Sequence, residues 1–266
     1  MIGVFDSGIG GLTVLRELVR RLPGYRFVYF GDTARTPYGT KSPETIIRYA
    51  IEDTEFLLRR GARLIVVACH SASSVATEAL KKRFPGVPIF EVVTPSVKKA
   101  LQVTRRKVIG VIGTRATIQS GIYERLLRER DPEVRVYGNA CPLLVPLVEE
   151  GWLKKPETRR IVKKCLLPLR MKGIDTLILG CTHYPVLRKI IQEKAGRRIT
   201  LVDPAEEVAE EVRAFLSGKE GSPAVDLEKD GEPLIFVSDL TPAFEDIARI
   251  FLGRRVKLLK AEDAPL

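Results

Sequence analysis

The amino-acid sequence predicts an α/β fold built on mainly parallel sheets, and three patterns lead to that prediction. Short apolar segments alternate with amphipathic segments along almost the whole chain, which is typical of βαβ units with right-handed crossovers. Most apolar segments are continuously hydrophobic, as in residues 64–68, because strands of a parallel sheet are buried on both faces. Helix start and stop signals separate the segments, such as Ser42-Pro43 before residues 44–60 and Gly61 after them.

The expected elements follow this pattern along the chain. Strands are predicted at residues 2–5, 27–30, 64–68, 89–93, 108–112, 134–137, 177–179, 200–202, 234–237 and 256–259. Helices are predicted at residues 12–21, 44–60, 72–83, 96–103, 120–130, 156–169, 186–194, 205–216 and 243–252. Residues 217–233 are rich in Gly, Lys, Glu and Asp, so we expect an exposed loop there.

Length and composition restrict the class of protein. The 266 residues suffice for one large α/β domain or two modest ones, and no stretch approaches the roughly 20 apolar residues that cross a bilayer. The first residues form a strand pattern without a basic leader, so we expect a cytoplasmic protein. The net charge of +11 comes from dispersed basic residues, which indicates a solvated surface that attracts anionic metabolites rather than nucleic acid or a membrane.

Two of the four cysteines are candidates for thiol chemistry. Four cysteines are too few for a disulfide scaffold, and with two histidines they lack zinc-site spacing, so we expect no metal. Cys69 and Cys181 each follow an apolar strand and precede a hydroxyl residue and a helix, and their separation of 112 residues lets each belong to its own sheet. A helix N-terminus favours the thiolate and would lower the thiol pKa from about 8.5. Cys141 and Cys165 are predicted to be packing residues.

Polar residues end several predicted strands, where parallel sheets bind ligands. The strand-end clusters are Asp6-Ser7-Gly8, Gly31-Asp32-Thr33, Cys69-His70-Ser71, Gly113-Thr114 and Cys181-Thr182-His183. The glycines at positions 8, 10 and 11 lack the GxGxxG spacing, and the Walker pattern is also missing, so no nucleotide site is expected. Asp6 is interpreted as a carboxylate for a substrate ammonium or for a neighbouring proton transfer. Together the clusters predict a small-molecule cleft.

Six segments make the chain resemble the glutamate racemases of the aspartate/glutamate racemase superfamily. They are FDSGIGGLTVL at 5–15, GDTARTPYG at 31–39, VVAC at 66–69, IGTRAT at 112–117, CPLLVPLVEEG at 141–151 and LGCTHYP at 179–185. They occur in the family's order and span nearly the whole chain. The resemblance implies an isomerase that racemises L- and D-glutamate without pyridoxal phosphate, metal or nucleotide. It also implies a role in peptidoglycan synthesis, and hence in cell-wall biogenesis and cell shape.

The same resemblance implies an architecture of two similar α/β domains. Each would be a mainly parallel sheet flanked by helices, with the active site in the cleft between them. The first domain would be discontinuous and comprise residues 1–93 and 207–266, and the second would comprise residues 94–206. A homodimer is the implied assembly, and glutamate is the implied small-molecule partner.

The family pattern assigns roles to individual residues. Two opposed bases remove the α-proton on one face of the substrate and return a proton on the other. The residues implied in catalysis are Cys69, Cys181, Asp6, His183 and Glu149, with Glu150 as the alternative carboxylate. The implied substrate contacts are Asp6, Ser7, Pro37, Tyr38, Gly39, His70, Ser71, Thr114, Thr117, Thr182 and His183. In this set, Tyr38 and Gly39 match the loop that recognises the side-chain carboxylate.

His70-Ser71 departs from the family, which usually has Asn-Thr after the first cysteine. Serine keeps the hydroxyl of threonine. Histidine is bulkier than asparagine and can become cationic near pH 6.5, so we expect altered affinity or pH dependence rather than loss of the reaction.

Three other functions stay open at the level of the sequence. A racemase for aspartate or a related acidic amino acid would keep both cysteines and change the pocket near Tyr38 and His70. A basic regulatory or nucleic-acid-binding protein is permitted by the net charge. A redox dithiol would require the two sulfurs to come within disulfide reach.

Overall fold

The structure is a computed structural model that describes residues 1–218 and 227–262. Within these ranges the strands are β1 (Ile2–Asp6), β2 (Phe27–Gly31), β3 (Leu64–Val67), β4 (Ile89–Glu91), β5 (Val108–Gly113), β6 (Arg135–Ala140), β7 (Thr176–Gly180), β8 (Thr200–Val202), β9 (Leu234–Val237) and β10 (Leu259–Lys260). The helices are α1 (Leu12–Arg21), α2 (Pro43–Arg59), α3 (His70–Arg83), α4 (Val93–Val103), α5 (Arg115–Gln119), α6 (Ile122–Arg130), α7 (Leu144–Glu149), α8 (Pro156–Met171), α9 (Arg188–Ala195), α10 (Pro204–Leu216) and α11 (Pro242–Leu252). No helix in the described ranges is long and apolar enough to cross a membrane.

The strands form two parallel sheets. The first sheet has the order β10-β9-β2-β1-β3-β4, and the second has the order β6-β5-β7-β8. Every pair of neighbouring strands in both sheets is parallel. Strands β5 to β8 are contiguous in the chain, whereas β9 returns to the first sheet and pairs with β2. The predicted α/β class with mainly parallel sheets is therefore confirmed.

Apolar side chains continue from one sheet to the other. A single buried cluster contains Val4 of β1 and Leu15 of α1 together with Ile112 of β5 and Leu177 of β7. Separate clusters cover the opposite face of the first sheet, around Phe30, and the opposite face of the second sheet. Because both faces of each sheet are covered, strands β1, β2, β3, β5 and β7 are buried at every position rather than at alternate ones.

Helices α4 and α10 carry the chain from the first sheet to the second and back. They lie side by side, with ion pairs between Lys98 and Glu211 (2.8 Å) and between Lys99 and Glu207 (3.7 Å). The expected domain boundaries, after residues 93 and 206, fall inside these two helices. The division into two domains at those positions stays a prediction.

Some elements begin or end elsewhere than predicted because local groups cap the backbone. The strand predicted to reach residue 93 ends at Glu91, whose carboxylate accepts the N–H groups of Val93 (2.5 Å) and Thr94 (2.8 Å) and so starts α4. The helix predicted at residues 120–130 is α6, which begins at Ile122 after Gly121 with a left-handed φ of +65°, and the short helix α5 before it was not predicted. Helix α7 has no predicted counterpart, because Pro146 within it and Pro142 just before it indicate a loop.

The predicted loop at residues 217–233 is described only in part, since residues 219–226 lie outside the described ranges. Its last portion is held against the start of β2. Lys229 forms an antiparallel bridge with Tyr25, and the N–H of Asp230 donates to the carbonyl oxygen of Gly24 (2.9 Å).

Asp175 anchors the turn that leads into β5. Its carboxylate accepts hydrogen bonds from Thr104 Oγ1 (2.7 Å) and from the N–H groups of Arg105 (2.9 Å) and Arg106 (2.6 Å). Burial alone would raise the pKa of Asp175, but the hydrogen bonds outweigh burial and the pKa is lowered. The carboxylate therefore stabilises the entry of the chain into the second sheet.

We expect Asp175→Ala to reduce the free energy of unfolding by about 2–3 kcal/mol near neutral pH, because four donors, including the hydroxyl of Thr176 at 3.0 Å, lose a charged acceptor. Since the pKa is lowered in the folded state, this stabilisation is present above the unfolded pKa of about 3.9 and is lost as the pH falls through the folded-state value. Urea unfolding of both proteins at neutral and acidic pH measures the difference, which should shrink in acid. Asp246→Ala is the control, since the Asp246 side chain is 78% exposed, and equal losses in the two variants would contradict the prediction.

Candidate active site

The two strand-end cysteines lie at one cleft between the sheets. Cys69 follows β3 of the first sheet, and Cys181 follows β7 of the second. The cleft is lined by Ser7, Thr36, Pro37, Gly39, Cys69, His70, Ser71, Thr114, Val145, Cys181, Thr182 and His183. Sequence reasoning missed Thr36 and Val145 in this set. Both lie inside segments that resemble the family, Thr36 in GDTARTPYG and Val145 in CPLLVPLVEEG, and that place could have indicated them.

Strand register explains why the polar loops converge. Phe5 of β1 pairs with Val67 of β3 in the first sheet, and Gly113 of β5 pairs with Gly180 of β7 in the second. The loops that follow each pair therefore leave their sheet side by side, on the carboxyl edge where parallel sheets bind ligands. Each cysteine loop consequently lies beside a second polar loop from a neighbouring strand.

Burial, rather than the helix N-terminus, dominates the electrostatics of Cys69. The residue is 4% exposed, and burial raises the pKa of its thiol to about 12, with a further contribution from the charge of Asp6. Hydrogen bonds from the N–H of Ala72 and from Ser7 favour the thiolate but do not offset these effects. The prediction that the start of α3 lowers the pKa of Cys69 is therefore wrong for the free protein, in which the sulfur keeps its proton at neutral pH.

Cys181, His183 and Glu149 form a line of polar groups. Cys181 Sγ is 3.7 Å from His183 Nδ1, and His183 Nε2 is 3.0 Å from Glu149 Oε1. Burial alone would lower the pKa of His183, but its contacts with Cys181 and Glu149 raise it to about 10. The imidazole is therefore protonated at neutral pH, and both ring nitrogens are donors. Glu149 is the carboxylate that faces the site, whereas Glu150 is exposed.

Asp6 is buried beside the cleft and contacts the Cys181 loop. Its Oδ2 accepts the N–H of Gly8 (3.1 Å), and its Oδ1 lies 3.4 Å from the hydroxyl of Thr182. Burial raises the pKa of Asp6, and the positive charge of His183 opposes that shift. Asp6 is not among the residues that line the cleft. Its negative charge disfavours the thiolate of Cys69, and its Oδ1 contacts Thr182.

His70 is a buried histidine without a hydrogen-bond partner in the described structure. The residue is 3% exposed, and neither Nδ1 nor Nε2 has a partner. Burial lowers its pKa to about 3, so the expectation that His70 becomes cationic near pH 6.5 is wrong. A neutral imidazole carries one donor and one acceptor, and both belong to a residue that lines the cleft.

A chain of three hydroxyl groups crosses from the first sheet's loops to the second. Ser71 Oγ lies 3.0 Å from Thr114 Oγ1, which lies 3.0 Å from Thr117 Oγ1. Thr117 is 1% exposed and is absent from the cleft lining described above, so it supports Thr114 from behind. A Cβ on Gly39 would lie 2.7 Å from Thr114 Cβ, which shows how closely the loop of Gly39 packs on the second half of the molecule.

The side chain of Tyr38 lies in a buried ionic network rather than in the cleft. Its hydroxyl is 2.8 Å from Asp53 Oδ2 and also contacts Asp32. Arg35 donates to Asp32 (2.6 Å) and to Asp53 (3.0 Å). Tyr38, Asp32 and Asp53 have no exposed surface. A contribution of Tyr38 to ligand binding is therefore restricted to its backbone, while the neighbouring Pro37 reaches the cleft.

Cys141 and Cys165 lie outside the cleft lining. Cys141 is 1% exposed and belongs to the central apolar cluster, and Cys165 packs against that cluster. Across the described residues, no group of three or more His, Cys, Asp or Glu side chains is arranged to hold a metal ion.

Comparison with known proteins adds to this geometry. Residues 2–212 match the family described as Asp/Glu/Hydantoin racemase. A glutamate racemase of Geobacter metallireducens is 46% identical over 255 residues, which is 96% of this chain and 93% of the relative. The crystal structure of a glutamate racemase isoform from Bacillus anthracis has a TM-score of 0.93 and 38% identity, and covers 99% of this chain and 98% of its own. A glutamate racemase from Francisella tularensis, solved in complex with D-glutamate, has a TM-score of 0.89 and 33% identity, covering 98% and 97%.

The two histidines of the chain should each keep one charge state across the neutral range. Burial lowers the pKa of His70 to about 3, and the contacts of His183 raise its pKa to about 10. Neither ring should therefore titrate between about pH 5 and pH 8. NMR of protein labelled with ¹⁵N-histidine measures both rings, and His70→Asn assigns the two signals. Glu149→Gln should lower the pKa of His183, and a midpoint between pH 5 and pH 8 in the unmodified protein would contradict the prediction.

Proposed function

The chain belongs to the Asp/Glu/hydantoin racemase family, and from this premise we propose that it is a glutamate racemase, an isomerase that interconverts L- and D-glutamate without a cofactor. In this proposal Cys69 and Cys181 are the two bases. Similarity to glutamate racemases over nearly the full length of the chain supports glutamate, rather than aspartate, as the substrate.

One observation supports the two-base mechanism above all others. Two cysteines that are far apart in the chain, each at the end of a strand in a different sheet, line the same cleft. Racemisation needs a base on each side of the substrate's α-carbon, and two sheets that contribute one sulfur each can supply them without any movement of the substrate.

The proton balance of the reaction is simple. One sulfur, as thiolate, takes the α-proton and becomes a thiol, and the electron pair stays on the α-carbon and its carboxylate. The opposite sulfur, as thiol, gives a proton to the other face and becomes a thiolate. The product is the mirror image of the substrate, and the two sulfurs have exchanged roles, so the reverse reaction uses the same groups. Two bases suffice, and the proposal requires no cofactor.

Asp6, His183 and Glu149 are proposed to control these proton transfers. The His183 imidazolium, held by Glu149 at 3.0 Å, lies 3.7 Å from Cys181 Sγ, where its N–H can donate to the sulfur. Asp6 is proposed to act on the other base, because its charge disfavours the thiolate of Cys69. A substrate ammonium beside Asp6 would offset that charge, so binding and activation of Cys69 are coupled.

Hydroxyl and backbone groups are proposed to bind the two carboxylates of glutamate. Among the residues that line the cleft in the described ranges there is no lysine or arginine. The available donors are the hydroxyls of Ser7, Ser71, Thr114 and Thr182, the ring of His70, and the backbone N–H groups of the loops and helix starts around them. Thr117 supports Thr114, Pro37 and Gly39 line the cleft, and Tyr38 between them contributes only its backbone.

The proposal extends to the cell. D-glutamate would serve peptidoglycan synthesis, so the protein would act in cell-wall biogenesis and cell shape, in the cytoplasm and as a homodimer. These proposals rest on the family relationship.

Replacing either base should abolish most of the activity. We expect Cys69→Ser and Cys181→Ser each to lower kcat by about 10²-fold or more in both directions, because each direction uses both sulfurs. Circular dichroism of L- and D-glutamate with purified, reduced protein and no added cofactor measures the rate.

Cys165→Ser is the matched control, since Cys165 is a half-buried thiol outside the cleft lining, and it should keep kcat within about twofold. If the unmodified, folded protein does not racemise glutamate, the proposed function is wrong. If it racemises glutamate and one cysteine variant keeps full activity, the two-base mechanism is wrong.

His70 should affect binding rather than pH dependence. His70→Leu removes both ring nitrogens of a residue that lines the cleft, so we expect KM for glutamate to rise about tenfold, the equivalent of one hydrogen bond. Because the ring is neutral, the pH profile of kcat/KM between about pH 6 and pH 9 should keep its shape. His70→Asn, which keeps a donor and an acceptor, should change KM less. An unchanged KM in His70→Leu, or the loss of a limb near pH 6.5, would contradict this.

A further inference from the structure

Thr13 connects the first half of the molecule to the loop that carries Cys181. It lies in the first turn of α1, has no exposed surface, and its Oγ1 is 3.0 Å from the carbonyl oxygen of Thr182. The same hydroxyl is 3.0 Å from the carbonyl oxygen of Gly10. That oxygen already accepts the backbone N–H of Thr13 at 3.0 Å. A hydroxyl has a single proton, so it can be donated to Thr182.

This bond to the backbone of Thr182 is shorter than the polar contacts of the Thr182 side chain. Thr182 Oγ1 is 3.4 Å from Asp6 Oδ1 and 3.5 Å from His183 Nδ1, distances at which hydrogen bonds are weak. The 3.0 Å bond from Thr13 reaches the backbone of the loop itself, between the two residues of the Cys181–His183 contact. It therefore fixes the Thr182–His183 peptide, which is attached to the Cα of His183 and lies one residue after Cys181.

The surroundings leave the loop little freedom on the same side. A Cβ on Gly10 would lie 2.5 Å from His183 Cε1 and from Thr182 Oγ1, so the backbone of the β1–α1 turn lies directly against the loop. The ring of Phe251 packs edge-on against His183 with centroids 5.3 Å apart. Arg16, also on α1, donates to the carbonyl oxygen of Phe251 at 3.0 Å. Helix α1 thus holds the loop and the helix α11 that packs on it.

The turn that leads into α1 also serves the other cysteine. Ser7 and Cys69 both line the cleft, and Thr13 lies six residues after Ser7 in the same β1–α1 segment. One segment therefore contributes to the cleft that Cys69 lines and also holds the Cys181 loop. Two bases that share a substrate must keep a fixed separation, because misplacement by about 1 Å can reduce a rate 10²-fold.

We propose that Thr13 is a positioning residue for proton transfer at Cys181, acting through its hydrogen bond to the carbonyl oxygen of Thr182. It touches no substrate atom, since it does not line the cleft described above. The inference rests on the proposed racemase function and adds a residue to it.

The test compares Thr13→Val, which keeps the shape and removes the hydroxyl, with Thr13→Ser, which keeps the hydroxyl. Thr13→Val should lower kcat between about tenfold and 100-fold in both directions, and Thr13→Ser should restore it to within about threefold. Thr54→Val is the matched control, because Thr54 is also fully buried and its hydroxyl donates to Ala50 O within α2 (2.7 Å).

Primary isotope effects with α-deuterated L- and D-glutamate separate positioning from a general structural effect. If transfer at Cys181 is slowed, removal of the deuteron by Cys181 becomes rate-limiting for one enantiomer, and its isotope effect rises. For the other enantiomer, the later donation by Cys181 becomes limiting, and its isotope effect falls. In Thr13→Val, the isotope effect should rise for one enantiomer and fall for the other, and each should change in the same direction as in His183→Asn. In Thr13→Ser and Thr54→Val, both isotope effects should match those of the unmodified protein.

The outcomes distinguish the two proposals. If the unmodified protein interconverts the enantiomers but Thr13→Val keeps both isotope effects unchanged, Thr13 has only a structural role and the inference is overturned, whatever happens to kcat. If Thr13→Val has the kcat of the unmodified protein, the inference is overturned as well. If the unmodified protein does not racemise glutamate, the proposed function itself fails. The melting temperature of each variant shows whether the chain is folded in the assay.

Discussion

The close approach of the β1–α1 turn to the Cys181 loop is the constraint on which the site depends. Gly10 can occupy its position only because it has no side chain, since a Cβ would lie 2.5 Å from the ring of His183. Gly31 is needed in the same region, where a Cβ would lie 2.3 Å from the carbonyl oxygen of Gly8. With the shared apolar cluster behind them, these contacts bring groups from two sheets within hydrogen-bond distance.

The burial that creates this proximity also decides the charge of each group. Removal from water disfavours charged forms, which explains the protonated thiol of Cys69 and the neutral ring of His70. His183 is the exception, because direct contacts with Cys181 and Glu149 outweigh its burial. In the proposed reaction, the empty cleft therefore keeps Cys69 in a form that is a weak nucleophile and resists oxidation. In the same proposal, the substrate's ammonium group would supply the positive charge that favours the thiolate of Cys69.

The parallel sheets and the polar strand-end loops could be predicted because their signals are local: apolar runs and the residues that end them. Properties that depend on distant side chains could not. The pKa of Cys69 depends on its burial and on Asp6, and the orientation of Tyr38 depends on Asp53 of α2. Which of two adjacent glutamates faces His183 depends on the rotation of the short helix α7. That helix could not be predicted because it contains Pro146. Thr13 reads in the sequence only as an ordinary residue near a helix start.

The pairing of β9 with β2 has a consequence for the growing chain on the ribosome. Strand β2 lies between β1 and β9, and until residues 234–237 emerge its outer edge has unpaired backbone groups. At about 5–20 residues per second, the intervening chain takes on the order of 10–40 s to synthesise. Strands β5 to β8, which are contiguous in the chain, can complete their sheet during that time. The nascent first sheet therefore exposes the edge of the buried strand β2, and unpaired strand edges are prone to pairing with another chain. That edge is covered only when the last part of the chain arrives.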